Sequence, residues 1–337
     1  MPARPSTLQS IASGLLTFGR ILRSNPLTFV GFVMVLVLVG SALAVTIDPG
    51  LLPYRPATQS VVPHALPPSI GHWDFQPSHH LFGTDEIGID IFSNVLAALP
   101  LDLGIGLTIA GVALIVGGLL GLVAGFWDKP GTIGGFASVS ILRLTDVFLS
   151  FPSLVLALAI TATLGRGVTQ VILAVVVTWW PYYVRLVRGE VLAIKHLPYV
   201  TAARASGVSE LRILFRHVVR NVLEPVVVYF TMDIGTVLVT FSTISFIANP
   251  IVYPGPTPEW GSMIEAYRDK LALYPWTVLF PGAAVFVTVL AFSLVGDGLR
   301  DVLDPRSRRA FVAAAGRPPP SEAPAAAARA RPDATKG

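Results

Sequence analysis

The sequence contains no cysteine, which removes disulfides, thiolate metal sites and thiol nucleophiles from consideration. It is also poor in charge. Only 13% of the 337 residues are Asp, Glu, Lys or Arg, against roughly a quarter in a soluble globular domain. No Gly-Lys-Ser/Thr phosphate loop occurs, so the chain is not expected to hydrolyse a nucleotide alone. No His-Glu-x-x-His pair is present to hold zinc. No catalytic constellation, metal centre or cofactor site is expected in the chain.

What is abundant is apolar surface: 53% of residues are hydrophobic and the mean hydropathy is +0.67. Several runs approach or exceed 18 residues with few charges, the pattern of membrane spans. The first, 27–47, ends at Asp48-Pro49 with no small-residue cleavage site after it, so a retained span is expected rather than a signal peptide. Residues 1–26 form a basic N-terminal segment. From 48 to 102 the chain reads as an outer loop followed by an amphipathic segment, with a Pro-rich, irregular part to about residue 78. Thr84 or Asp85 is expected to cap the helix that follows.

The remaining core, 103–312, holds five further spans near 103–127, 139–164, 168–187, 224–247 and 277–296. Dense glycines in the second span predict close helix packing. Arg143 and Asp146 lie three apart on one helix face and predict a local or inter-helix ion pair. Pro152 predicts a kink. Trp179, Trp180, Tyr182 and Tyr183 are of the types that line membrane interfaces. Asp146 and Asp233 are intramembrane acids, open to reading as packing partners, as lining of a water-filled path or as proton sites. His72, His79 and His80 cluster in an outer loop, and surface histidines fit them better than a metal site. Residues 313–337 are Ala/Pro-rich, without capacity for a core, and are expected to form a disordered tail.

Charge sets the topology. Of the 24 Lys/Arg, only Arg55, Arg166, Arg268 and Lys270 fall in the segments after the first, third and fifth spans. The positive-inside rule therefore makes both termini and the loop 188–223 cytoplasmic. The stretch from Arg185 to Arg220 carries seven Lys/Arg against Glu190 and Glu210. It fits either a solvated basic loop or a docking element, and its small residues Ala202, Ala203, Ala205 and Gly207 favour docking.

Three stretches resemble one known family. They are His80-Leu81-Phe82-Gly83-Thr84-Asp85-Glu86-Ile87-Gly88-Ile89-Asp90, then Tyr199-Val200-Thr201-Ala202-Ala203-Arg204-Ala205-Ser206-Gly207 with Ile213, His217, Asn221 and Pro225. The third is Pro256-Thr257-Pro258-Glu259-Trp260-Gly261 with Pro275-Trp276, Phe280-Pro281-Gly282 and the run from Gly296, Asp297 and Gly298 through Arg300 and Asp301 to Pro305. Over about residues 20–310 the chain resembles the C-type permease subunits of dipeptide, oligopeptide and nickel ABC importers. It departs from that family's pattern at Ile89, where Arg is common, at Thr201, where Glu is usual, at Ile247-Ala248-Asn249-Pro250, and in its longer loop over 49–80.

The resemblance implies an all-α membrane protein with six transmembrane helices in the type I ABC importer permease fold. It implies half of a translocation pathway in the bacterial cytoplasmic membrane. Implied partners are a homologous second permease, two cytoplasmic ATPase subunits or domains that bind ATP and Mg, an extracytoplasmic substrate-binding protein and the lipid bilayer; nucleic acid is not among them. A coupling helix would carry Tyr199, Thr201, Ala202, Ala203, Arg204, Gly207 and Glu210, with Ala202 and Ala203 near the ATPase surface. Asp146, Pro152 and Asp233 would line the path or pack its helices. Gly83, Thr84, Asp85, Asp90, Pro258, Glu259, Trp260, Gly261, Gly296, Asp297, Arg300 and Asp301 are the remaining motif positions. Peptide is the expected cargo. Nickel or another small solute, and an ion-coupled secondary transporter, are the alternatives.

Overall fold

Long apolar runs leave the backbone one stable option inside a bilayer, the helix, because it satisfies every N–H and C=O internally. The structure is a computed structural model, and it describes residues 26–54, 65–69, 80–248, 251, 253–255 and 257–303. The N-terminal segment, most of the outer loop, His72, His79 and the 313–337 tail lie outside the described residues.

Among the described residues nine α-helices follow one another: α1 (Pro26–Ile47), α2 (Ile91–Phe126), α3 (Ile133–Leu149), α4 (Ser153–Leu164), α5 (Val168–Ile194), α6 (Pro198–Ala205), α7 (Glu210–Ala248), α8 (Trp260–Tyr267) and α9 (Trp276–Leu303). Five of them, α1, α2, α5, α7 and α9, are long and apolar enough to cross a membrane. α3 and α4, which meet at an angle of 85°, are long and apolar enough only together, and taken as one broken span they bring the number to six. The expected kink at Pro152 is therefore a full break. Ser150 and Phe151 leave the helix, and Pro152 stands at the N-terminus of α4 without a side-chain cap.

The second span also differs from expectation. It begins at Ile91, not near 103, because the amphipathic segment continues the same helix. Its cap is Asp90, whose Oδ2 accepts from the Ser93 amide at 2.7 Å; neither Thr84 nor Asp85 caps it. The glycines of α2 pack as the sequence predicts. A Cβ on Gly117 would lie 2.3 Å from the Trp180 carbonyl oxygen, and one on Gly121 would lie 2.9 Å from that of Val184. Spaced four apart, they form one small-residue stripe along which α2 and α5 touch backbone to backbone. Similar close approaches seat Gly296 against Met232 and Gly298 against Thr28, fixing α9 on α7 and α1.

The fourth span runs on to Ile194, so Trp179, Trp180 and Tyr183 lie well inside it and are buried against neighbouring helices. They are interior packing residues and do not form an interfacial belt. At the other end of this helix Lys195 is 6% exposed. Its Nζ donates to the Gly125 carbonyl at 2.9 Å and to Asp128 Oδ1 at 2.5 Å. A cation placed there meets the negative end of α2 and pins the last turn of α5 to it.

Candidate functional site

Between α5 and α7 the basic segment is helical, and its conformation follows from its sequence. Pro198 occupies the first turn of α6, where its missing N–H costs nothing. The helix ends in a Schellman motif: the Val208 amide donates to Ala203 O at 3.2 Å and the Gly207 amide to Arg204 O at 3.0 Å. Gly207 has φ +77°, and a Cβ there would meet nothing within 4 Å. The glycine is required by the left-handed backbone, not by crowding.

One face of α6 anchors it to the chain. Val200 is fully buried among Ile194, Ile213, Leu214, Val218 and Val222, with Ala203 and Val208 packed at the edge. Tyr199 Oη accepts from Asn221 Nδ2 at 3.1 Å, and the same Asn221 amide reaches the His217 carbonyl. That carbonyl lies in a π-helical turn, Leu214–Val218, near the start of α7. Arg204 and Glu210 bind each other through two hydrogen bonds of 2.7 and 3.1 Å, closing the loop across Gly207. The other face of α6 presents Thr201, Ala202 and Ala205 to solvent. Ala203 thus turns inward, and Ala202 stands on the outward, small-residue face.

In the middle of the helix bundle Asp233 is buried. Its Oδ2 accepts from Tyr183 Oη at 2.8 Å and from Trp179 Nε1 at 2.9 Å. Asp146 sits elsewhere, at the periphery, and pairs with Arg185 of α5 at 2.9 Å, so the expected ion pair is inter-helix and does not involve Arg143.

The motif residues at the far end from α6 form one buried polar knot. His80 Nδ1 and Asp90 Oδ1 are 2.8 Å apart and both residues are buried, so His80 is no surface histidine. Asp85 accepts from the Ile87 and Ile89 amides and, at 2.6 Å, from Tyr267 Oη. Burial pushes the Asp85 carboxyl above its ordinary range, with the Tyr267 bond and the two amides opposing; burial and the nearby Asp85 also push the Tyr267 phenol up. Gly83 has φ +75°, and a Cβ there would strike Leu66 O at 2.6 Å. Thr84 exchanges hydrogen bonds with Leu66, and its carbonyl accepts from Trp276 Nε1. Phe82 stacks on Phe280 with ring centroids 3.9 Å apart.

Glu259 caps α8 by accepting from Gly261 N and Ser262 N, and it also accepts from Ser245 Oγ at 2.6 Å. Burial raises its carboxyl while these bonds oppose the shift. Pro258 and Gly261 are buried beside it, and Trp260 is fully buried, its Nε1 donating to Val95 O. Asp297, Arg300 and Asp301 are exposed on the last turns of α9.

Sequence reasoning missed Asp102, which accepts the Trp260 amide and ties α2 to α8. Its signal was an acid directly preceding an apolar run. It also missed Lys195 and Tyr267, whose partners lie 67 and 182 residues away and leave no local trace. Among the described residues no group of three His, Asp or Glu could hold a metal.

Over residues 117–309 the chain matches the family of binding-protein-dependent transport system inner membrane components. It is 36% identical over 286 residues to the probable D,D-dipeptide transport system permease protein DdpC of Escherichia coli strain K12, covering 85% of this chain and 90% of that one. It is 39% identical over 242 residues to the glutathione transport system permease protein GsiD of Pectobacterium atrosepticum, covering 71% and 74% respectively. Among solved structures, an amino acid ABC transporter with histidines aligns with a TM-score of 0.45 and 16% identity, over 65% of this chain and 94% of that one. The chain belongs to the binding-protein-dependent transport system inner membrane component family. It is a multi-pass inner-membrane permease subunit.

Proposed function

We propose that this permease forms half of the pathway of an ATP-driven peptide importer and receives the ATPase stroke through α6. The observation that carries the proposal is the two-sided character of that helix. Its Val200 face is locked into the permease and its Thr201–Ala202–Ala205 face is bare. A rigid element held at one side and open at the other can transmit displacement, whereas a loose loop absorbs it. Small side chains on the bare face allow close approach by a groove on a partner.

Peptide is the cargo supported by relatives named for D,D-dipeptide and glutathione transport. The partners are a second, homologous permease, two ATPase subunits that hold the nucleotide and magnesium, and a binding protein. The binding protein docks at the outer end, where the knot of Asp85, Asp90, Glu259 and Tyr267 holds the helix ends in register. Both termini and α6 face the cytoplasm, following the distribution of Lys and Arg. This chain itself performs no bond-breaking chemistry.

The test is purification of the tagged chain from its native membrane, identification of the subunits that accompany it, and peptide uptake by the reconstituted complex. The expected result is a second permease and an ATPase in the preparation, with uptake that needs both ATP and the binding protein. Uptake by the chain alone, driven by an ion gradient, contradicts the proposal.

A further inference from the structure

Arg185 and Asp146 form their ion pair in a place where lipid cannot be their surroundings. The two side chains are 58% and 53% exposed on the surface of the subunit. Their depth follows from their neighbours. Asp233 binds both Trp179 and Tyr183, so it lies level with the stretch of α5 between them. It is also near the midpoint of the bundle: a Cβ on Gly235, two residues on, would lie 3.2 Å from the Val289 Cα, halfway along the apolar stretch of α9. Arg185 follows the centre of the Trp179–Tyr183 stretch by four residues, about 6 Å of helix rise. The hydrocarbon layer extends about 15 Å to either side of its midplane. An exposed ion pair at that depth is costly unless it faces water or protein.

A further observation favours water. Arg143, one turn before Asp146 on α3, is exposed as well, so the charges form a strip and not an isolated pair.

Resting on the permease reading above, we propose that the Arg185–Asp146 pair lines the aqueous translocation path and is a subsite for a solute bearing opposite charges. The guanidinium receives the solute's carboxylate, and Asp146 receives its ammonium group. In the absence of solute the two residues neutralise each other. The break at Pro152 places this strip beside the elbow between α3 and α4.

Because this chain has no cysteine, a single thiol placed in it can be read against the otherwise identical unsubstituted complex as background. Val147, exposed next to Asp146, is replaced by Cys, and Leu119, exposed on α2, serves as the comparison site. Reaction rates are measured with an anionic sulfonatoethyl and a cationic trimethylammonioethyl methanethiosulfonate, which stand for the two charged ends of the solute. The expected result is reaction at V147C and none at L119C. In the D146N background the anionic-to-cationic rate ratio at V147C rises about fivefold or more, and in the R185Q background it falls by a similar factor. An unreactive V147C that labels only after denaturation overturns the proposal and places the strip against the second subunit. Reaction at V147C with an unchanged ratio in both backgrounds overturns it too, since the path is then wet but the pair does not govern charge. Binding-protein-stimulated ATP hydrolysis of the same V147C complex reports separately on the permease reading.

Discussion

Tyr183 donates its hydroxyl to Asp233 Oδ2 at 2.8 Å, joining α5 to α7 inside the bundle, and Trp179 Nε1 donates to the same oxygen at 2.9 Å. A carboxylate so occupied is expected to act in packing. Asp233→Asn keeps an acceptor for these donors, and its uptake is expected to stay dependent on ATP and insensitive to collapse of the proton gradient at fixed ATP. Asp233→Leu strands both donors, each costing about 1–3 kcal/mol when buried unpaired, and the yield of assembled complex should fall. Uptake by the wild type that stops with the gradient while ATP is held constant speaks for a proton site instead.

A pH signature is expected at the outer knot. Burial raises the folded-state pKa of Asp85 above its unfolded value, so the folded protein binds more protons than the unfolded one between the two. Stability contributed by this group is therefore lost as pH rises from about 4 through the raised pKa, and is constant above it. The Asp85→Asn variant lacks that slope. Thermal midpoints of wild type and variant, measured in detergent from pH 4 to 8, should diverge in the wild type's favour only toward the acid end. Parallel curves would show that Asp85 does not titrate there.

The glycine stripe gives a packing test. Gly117→Leu drives a side chain into the Trp180 carbonyl, and α2 and α5 must separate. Overpacking of this kind costs typically 1–3 kcal/mol or more, so the folded yield should drop severalfold by size-exclusion chromatography. Gly111→Ala meets nothing within 4 Å and should leave the yield unchanged. Equal yields from both variants would contradict the contact.

Much of this was legible in the sequence because hydropathy, proline and glycine act locally. The apolar runs gave the spans, and Pro152 marked a kink where the fold makes a full break. Helix ends were less legible. The turns before Leu103 and after Val187 continue their helices through tertiary anchors, Asp90 at one end and Lys195 at the other. Trp179 and Tyr183 looked interfacial because composition does not reveal that Asp233, 54 and 50 residues away, waits for them. The same holds for His80, which is buried against Asp90 and the Tyr54 ring. The functional face of α6 was only half legible: Ala202 and Ala203 are adjacent in sequence, and only the fold decides which of them points outward.

Coupling through α6 is tested most directly by the rate of ATP hydrolysis that the binding protein stimulates in the reconstituted complex. Ala202→Glu alters only the bare face of the helix. Gly207→Val forces a β-branched residue to φ +77°, a strain of about 1–2 kcal/mol, while Asn tolerates that conformation. With membrane insertion verified for each variant, the account predicts stimulation reduced at least about tenfold by Ala202→Glu and by Gly207→Val, equivalent to about 1.4 kcal/mol of coupling, and reduced less than about twofold by Gly207→Asn. Full stimulation in both Ala202→Glu and Gly207→Val would contradict it.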